Sequence, residues 1–333
     1  MSIRRSSGLV GAVALALVLA GCGSSSDGGS DSASEKTKTR VFTADNGKIT
    51  IPANPKRVVA TGYAVPALIE ADAPLVGISS WKRGEPMMTK DDLATYKKLK
   101  KIAGEQATET NYEAIAEAEP DLIVIGVPAP VLGDIDMKRL KSIAPVVAIG
   151  PSLPSAWRDL SRKQADAAGA SKQFDAQKKT YDDKAAELAA KYKDVLPKLK
   201  LGHVGAYGDA AKGTFQREFN GSWGTNIAED LGATYYGKVK KAGPGSAAVS
   251  EYPSIEELPA AFREADVLTY SVNADGSVPP SVQYVLDSKL WKNLPAVKAG
   301  KAFPYRYTEA ATYGEGLLTL DAIDKSLAPL LKP

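Results

Sequence analysis

The sequence predicts an α/β fold: two α/β lobes with mainly parallel sheets, joined by a long rigid helix, with a ligand cleft between the lobes. Three observations carry this expectation. Short apolar runs at Val58-Val59-Ala60-Thr61, Leu75-Val76-Gly77-Ile78, Leu122-Ile123-Val124-Ile125 and Val146-Val147-Ala148-Ile149 are each followed by turn residues and a helical pattern. Strands that are apolar throughout and spaced by helices belong to a parallel sheet covered on both faces. From about Ser155 to Val195 the chain becomes rich in Ala, Lys, Asp and Gln with no strand signal, which reads as a long helix or a pair broken at Gly169. Beyond Pro197 the alternation resumes with Leu201-Gly202-His203-Val204-Gly205-Ala206-Tyr207.

Taken in order, the elements divide the chain into five parts. Residues 1–21 carry a charged start, Arg4 and Arg5, and an apolar run from Leu9 to Leu19 that is too short to span a bilayer, as in a secretory signal. The only cysteine follows in Leu19-Ala20-Gly21-Cys22, which resembles the lipobox of bacterial lipoproteins. That resemblance implies cleavage before Cys22 and lipidation of its thiol, two acyl chains being enough to hold a protein on a membrane. Residues 22–40 begin as a Ser, Gly and Asp tether lacking the apolar content needed to order it. Residues 41–153 form the first lobe, entered by a hairpin over Val41–Ile51 turned at Asp45-Asn46-Gly47. Residues 154–196 are the helical connector and 197–333 the second lobe, with helices from Ser222 and Ser254, a strand over Asp266–Val272 and a closing helix over Ala310–Leu331.

An internal echo supports the division. Asn111-Tyr112-Glu113-Ala114-Ile115 leads through a helix into Pro120-Asp121-Leu122-Ile123-Val124, and Ser254-Ile255-Glu256-Glu257-Leu258 leads through another into Ala265-Asp266-Val267-Leu268-Thr269. Asn111 and Ser254 are favourable N-caps, each with an acid two positions later that suits the positive end of the helix.

Charge and composition exclude several classes. The chain has 42 basic and 39 acidic residues. Without residues 1–21 it loses Arg4 and Arg5 and sits near neutrality, which argues against a nucleic-acid partner. The lysine runs at Lys97–Lys101 and Lys238–Lys241 read as solvated faces. With His203 the single histidine and Cys22 committed to lipid, no Ser-His-Asp or Cys-His arrangement can be assembled, so no enzyme is expected. Walker and dinucleotide-binding glycine motifs are absent, and His203 lies inside an apolar strand as a core histidine. A bare transition-metal site needs several imidazoles or thiolates. Any metal is therefore expected to arrive already chelated, with no direct protein ligands and no resident cofactor.

In open α/β sheets ligands bind beyond the carboxyl ends of the strands. Those positions here are aromatic and carry arginine: Tyr63 after the first run, Trp81, Arg83, Met87 and Met88 after the second, Tyr207, Phe215, Arg217 and Trp223 in the second lobe, then Tyr270, Tyr305 and Arg306. Such a cleft suits a bulky ligand with apolar arms and a few strong acceptors.

At this point the residues resemble the substrate-binding lipoproteins of iron-siderophore and cobalamin ABC importers, the class with a rigid helical linker between two lobes. The resemblance runs over Ile51–Val59, Asn111–Ile125, Gly221-Ser222-Trp223 with Leu231-Gly232-Ala233, and most specifically Leu290–Gly300. It implies capture of a ligand between the lobes and delivery to a membrane permease, with a monomer anchored outside the cytoplasm. It also implies that Glu113 and Glu256 dock onto arginines of the permease. Ferric catecholates are strongly anionic and call for a basic pocket, whereas ferric hydroxamates are nearly neutral or cationic and suit aromatic walls with one or two arginines. The expected ligand is a ferric siderophore of the ferrioxamine type, with ferrichrome-like trihydroxamates next. Arg83 and Arg217 are the expected oxygen donors, and Tyr63, Trp81, Tyr207, Phe215, Trp223 and Tyr305 the packing surface. The same fold accommodates haem or cobalamin, and a surface-anchored α/β enzyme is the alternative from another class.

Overall fold

Fourteen residues of hairpin open the folded part. In the computed structural model, which describes residues 38–331, β1 (Thr39–Ala44) pairs antiparallel with β2 (Gly47–Pro52) around the expected Asp45-Asn46 turn. A lone hairpin is only marginally stable. This one is tied down where the Asn46 side-chain amide donates to the Val146 carbonyl at 3.0 Å and Gly150 N–H donates to Asp45 Oδ2 at 2.9 Å. The expected signal segment, Cys22 and the expected tether up to residue 37 lie outside the described residues, while Thr39 and Arg40, expected at the end of the tether, belong to β1.

The four apolar runs of the first lobe form strands as expected: β3 (Val58–Gly62), β4 (Leu75–Ser79), β6 (Leu122–Gly126) and β7 (Val146–Ala148), with the short edge strand β5 (Lys101–Ala103) between β4 and β6 in sequence. The sheet is parallel throughout, in the order β5-β4-β3-β6-β7. Its faces carry separate apolar layers, one around Val58, Leu68, Leu122 and Val147, the other around Val59, Ile115, Ile123 and Ile125. Continuous apolar strands are what a sheet buried on both faces requires.

In the second lobe β8 (Leu201–Gly205), β11 (Val267–Ser271) and β12 (Ala302–Tyr305) run parallel. β9 (Gln216–Glu218) pairs antiparallel with β8, and β10 (Ser250–Glu251) antiparallel with β9, giving the order β10-β9-β8-β11-β12. The two antiparallel strands, β9 and β10, are three and two residues long and polar, so they lack the apolar run that marks the others.

The connector is a broken pair, Trp157–Ala167 and Ser171–Tyr192, interrupted at Gly169 with φ +70°, where glycine carries little steric penalty. Its longer helix packs on the closing helix, Tyr313–Leu327, through a core containing Trp157, Phe174, Tyr181, Leu188, Tyr313 and Leu320. Among the described residues no helix is long and apolar enough to cross a membrane.

The echo between the lobes is a structural repeat. Asp121, at the head of β6, accepts from the N–H groups of Lys56 (2.6 Å) and Arg57 (3.0 Å), just before β3. Asp266, at the head of β11, accepts from Lys200 N–H (2.8 Å), just before β8. In each lobe the same carboxylate fixes the start of the two central strands against one another.

Candidate functional site

The carboxyl ends of the two parallel sheets bring together an aromatic group drawn from both lobes. β3 ends at Gly62, whose φ of +60° and close approach to the Gly126 carbonyl leave no room for a Cβ, so the chain turns tightly and Tyr63 N–H donates to that same carbonyl at 2.9 Å. After β4, Trp81 N–H donates to the Tyr96 hydroxyl at 2.8 Å, which fixes the indole edge-on to Tyr63 at 4.8 Å between ring centroids. The Arg83 guanidinium lies over both rings, 4.2 Å from the Trp81 centroid and 5.0 Å from that of Tyr63. From the second lobe, Trp223 lies nearly parallel to Tyr63 at 6.2 Å and 7°. Tyr207, at the end of β8, is 55% exposed and donates its hydroxyl to Glu309 Oε1 at 2.5 Å.

Two connected spaces share Arg83, Met87 and Glu309. The larger, about 340 Å³, is walled by Pro86, Ala206, Ser271, Asn273, Asp275, Pro279 and Tyr307. The smaller, about 20 Å³, lies under Tyr63, Trp81 and Trp223 with Glu315 at its base. The larger volume falls at the low end of the range of small-molecule sites.

Electrostatically the cleft is not basic. Arg83 is the one cationic side chain on these two linings, against Asp275, Glu309 and Glu315. Burial pushes the Glu315 carboxyl up to about 8, although the N–H groups of Ala311 and Thr312 oppose that shift. Burial likewise raises the Tyr63 hydroxyl above its ordinary range, countered in part by Arg83.

Several residues expected at the site lie elsewhere, and one geometric rule explains most of them. Successive side chains of a strand point to opposite faces. On β9, Gln216 and Glu218 face β8 and the cleft side, where Gln216 Oε1 accepts from Tyr207 N–H at 2.8 Å. Phe215 and Arg217 therefore face the other way. Phe215 is fully buried against Phe262, and Arg217 packs over Phe219, Tyr236 and Phe262 while pairing with Glu251 at 3.8 Å. On β11, Thr269 and Ser271 face His203, so Tyr270 turns outward onto Trp291, edge-on at 6.2 Å. Tyr305 is fully buried in the core beneath the closing helix, 5.8 Å from the His203 ring.

Met88 is buried in the core of the first lobe, and its neighbour Met87 lines the cleft instead. Arg306 lines a separate hollow beside the closing helix and donates to the Ala274 carbonyl. Of the expected residues, Tyr63, Trp81, Arg83, Tyr207 and Trp223 are brought together; Met88, Phe215, Arg217, Tyr270, Tyr305 and Arg306 are not.

His203 is a core residue. Its Nδ1 lies 2.7 Å from the Thr269 hydroxyl and its Nε2 3.0 Å from that of Ser271, in full burial. Burial holds the imidazole down at about 3, so it is uncharged and its 3.6 Å approach to Glu218, whose carboxyl burial raises to about 7, is not an ion pair.

Glu309 was invisible to a search for aromatics and arginine. Its signal was its place, four residues beyond β12 and therefore at the carboxyl end of the sheet, after Tyr307, which takes a left-handed φ of +58° uncommon for a residue with a side chain. Glu113 and Glu256 sit in the first turns of the crossover segments leading into β6 and β11. Such crossovers run antiparallel to the strands they join, so both acids lie toward the cleft end of their lobes. Glu113 is 70% exposed and pairs with Arg139; its own backbone N–H, and then Arg139, hold its carboxyl below the usual range, and Glu256 is exposed. Among the described residues no cluster of three or more His, Cys, Asp or Glu side chains is placed to hold a metal ion.

Residues 58–306 match the family described as "Periplasmic binding protein". The chain belongs to that family. The binding protein is 30% identical over 301 residues to the iron(3+)-hydroxamate-binding protein YxeB of Bacillus subtilis (strain 168), covering 89% of this chain and 87% of that one. It is 31% identical to the probable siderophore-binding lipoprotein YfiY of the same organism, covering 86% of each. In three dimensions it is similar to the siderophore periplasmic binding protein from the fuscachelin gene cluster of Thermobifida fusca, with a TM-score of 0.66 and 28% identity, covering 84% of this chain and 98% of that one. The structural likeness covers the two-lobed α/β architecture that the sequence predicts.

Proposed function

We propose that this binding protein captures a ferric hydroxamate siderophore, of the ferrioxamine type, between its lobes and delivers it to the permease of an ABC importer. It does so outside the cytoplasm, tethered through a lipidated Cys22, and takes iron only as the chelate. The observation that carries the reading is the charge of the cleft: Arg83 is the one cation of a lining that is otherwise aromatic, apolar, neutral polar and acidic. A ferric tris-catecholate brings about three negative charges and would meet Glu309 and Asp275 with little to offset them. A ferric trihydroxamate has a neutral iron core, whose metal-bound oxygens can accept from Arg83 while its chains lie on Tyr63, Trp81, Tyr207 and Trp223. The hydroxamate named for YxeB agrees with this choice.

Transport chemistry needs a docking surface as well as a cleft. Glu113 and Glu256, exposed at equivalent places on the two lobes, serve that purpose by offering one carboxylate each to basic residues of the permease. The test is iron uptake from ferrioxamine in cells dependent on this protein. The Glu113→Ala, Glu256→Ala double variant should bind ferrioxamine as the wild type does and lose most uptake. Full uptake with normal binding would reject the docking role, and absence of ferrioxamine uptake by the wild type would reject the function.

A further inference from the structure

The feature of the cleft least expected in a site for an oxygen-rich chelate is a carboxylate at its centre. Glu309 borders both spaces between the lobes, and its Oε1 is fixed by the hydroxyl of Tyr207. Its other oxygen, Oε2, takes no hydrogen bond from the protein among the described residues. Arg83 borders the same two spaces, yet the two side chains form no ion pair, and Arg83 instead pairs with Glu105 at 3.4 Å on the outer side. The cleft thus holds a guanidinium and a carboxylate that both line the ligand space and are not paired with each other. A carboxylate held half-desolvated and short of donors is a cost to the unliganded protein unless the ligand supplies a donor.

We propose that Glu309 is a specificity residue that receives a primary ammonium carried by the siderophore, so that the protein prefers cationic linear trihydroxamates over uncharged ones. This rests on the hydroxamate reading above. Arg83 meets the metal-bound oxygens and Glu309 the ammonium tail, which fixes the ligand's direction in the cleft. Tyr207 holds the carboxylate in place and acts as a positioning residue. Asp275 lines the same space and reinforces the preference with negative potential, whereas Glu315, largely protonated at neutral pH because burial lifts it to about 8, adds little.

The test compares two probes with the same iron coordination, ferrioxamine B, which ends in a primary ammonium, and its N-acetylated form, which does not. Dissociation constants are measured by calorimetry on the full chain and on the Glu309→Gln variant, at low and high salt. The wild type should favour ferrioxamine B by about tenfold, equivalent to about 1.4 kcal/mol, and the variant should bring the ratio to within about twofold. The wild-type preference should also shrink as salt rises. Because the readout is a ratio, partial loss of active protein cancels. A Tyr207→Phe variant, which keeps the carboxylate, should retain a preference for the ammonium form. Equal wild-type affinity for the two probes, or an unchanged ratio in Glu309→Gln, would overturn the assignment while leaving the hydroxamate reading intact. Failure of the wild type to bind either probe would overturn both.

Discussion

Replacing the two arginines singled out by the sequence should give opposite phenotypes, and the contrast follows from where the sheet puts them. Arg83 is 56% exposed, stacked on Trp81 and Tyr63, and its pair with Glu105 at 3.4 Å is a surface contact. Such pairs contribute about 0–1 kcal/mol, so Arg83→Ala should leave folding nearly unchanged. A hydrogen bond from its guanidinium to metal-bound oxygens is worth about 1.5–3 kcal/mol, or roughly a 10- to 150-fold weaker Kd when it is removed. Arg217 is 11% exposed, lies 4.6 Å from the Phe219 ring and 5.2 Å from that of Tyr236, and pairs with Glu251, itself 12% exposed. Truncating it removes the guanidinium's packing and leaves the mostly buried Glu251 carboxylate with only the Lys240 N–H at 3.1 Å, which costs folding about 2–4 kcal/mol, while the cleft keeps its lining. Calorimetric titration with ferrioxamine B and urea denaturation of both variants separate these effects. Loss of affinity in Arg217→Ala matching that of Arg83→Ala, with native stability retained, would refute the placement of Arg217 behind the sheet.

Two further outcomes concern stability. The Glu70 carboxylate, from the first lobe's helix Ala64–Glu70, accepts from Tyr313 N–H (3.0 Å) and Gly314 N–H (2.5 Å) at the start of the closing helix, so Glu70→Ala should cost about 1–3 kcal/mol in urea denaturation; an unchanged midpoint would contradict the role of this tie. Stability should fall as pH rises from about 5.5 to 8, read as a declining Tm. Glu70 and Glu218 are raised to about 7 and Glu315 to about 8, so their contribution is fully present below about 4.5 and lost through 7–8. His203, lowered to about 3, opposes this with one group, contributing above 6.5 and losing that contribution as pH falls. A Tm that climbs across pH 5.5–8 would contradict the upward shift of these carboxyls.

The parts of the fold legible in the sequence were those written as unbroken apolar runs. Val58, Leu75, Leu122 and Val146 each open a strand because a sheet buried on both faces needs apolar side chains on both faces. β9 and β10 were not legible, since a Gln-Arg-Glu strand and a Ser-Glu strand carry no such run. The cleft was legible only in part. Being near a strand end places a residue at the right height but not on the right face, and a shift of one position reverses the face. Tyr63, Tyr207 and Trp223 met that condition, while Phe215, Arg217 and Tyr270 shared the height and pointed away. Met88 and Met87 differ by the same single step. Glu309 escaped because its role depends on what surrounds it in three dimensions: Tyr207 is 102 residues away in sequence.

The same geometry bears on how the protein moves. Glu70 joins the first lobe to the closing helix, and Arg158 in the connector donates to Asp230 at 2.5 Å while Trp157 Nε1 donates to Asn226 at 3.0 Å in the second lobe. Helices tied at both ends favour small tilts of the lobes over a wide hinge.

The central claim is that a cleft with one cation and an aromatic wall selects ferric hydroxamates. The most direct test is tryptophan fluorescence quenching of the protein titrated with ferrioxamine, ferrichrome, a ferric catecholate, ferric citrate, haemin and cobalamin. Trp81 and Trp223 border the cleft, while Trp157 and Trp291 are buried in the cores, so quenching reports the site. Saturable quenching by the hydroxamates alone, abolished when Trp81 and Trp223 are both replaced by phenylalanine, is the predicted result. Tighter binding of the catecholate, the citrate, haemin or cobalamin would contradict it.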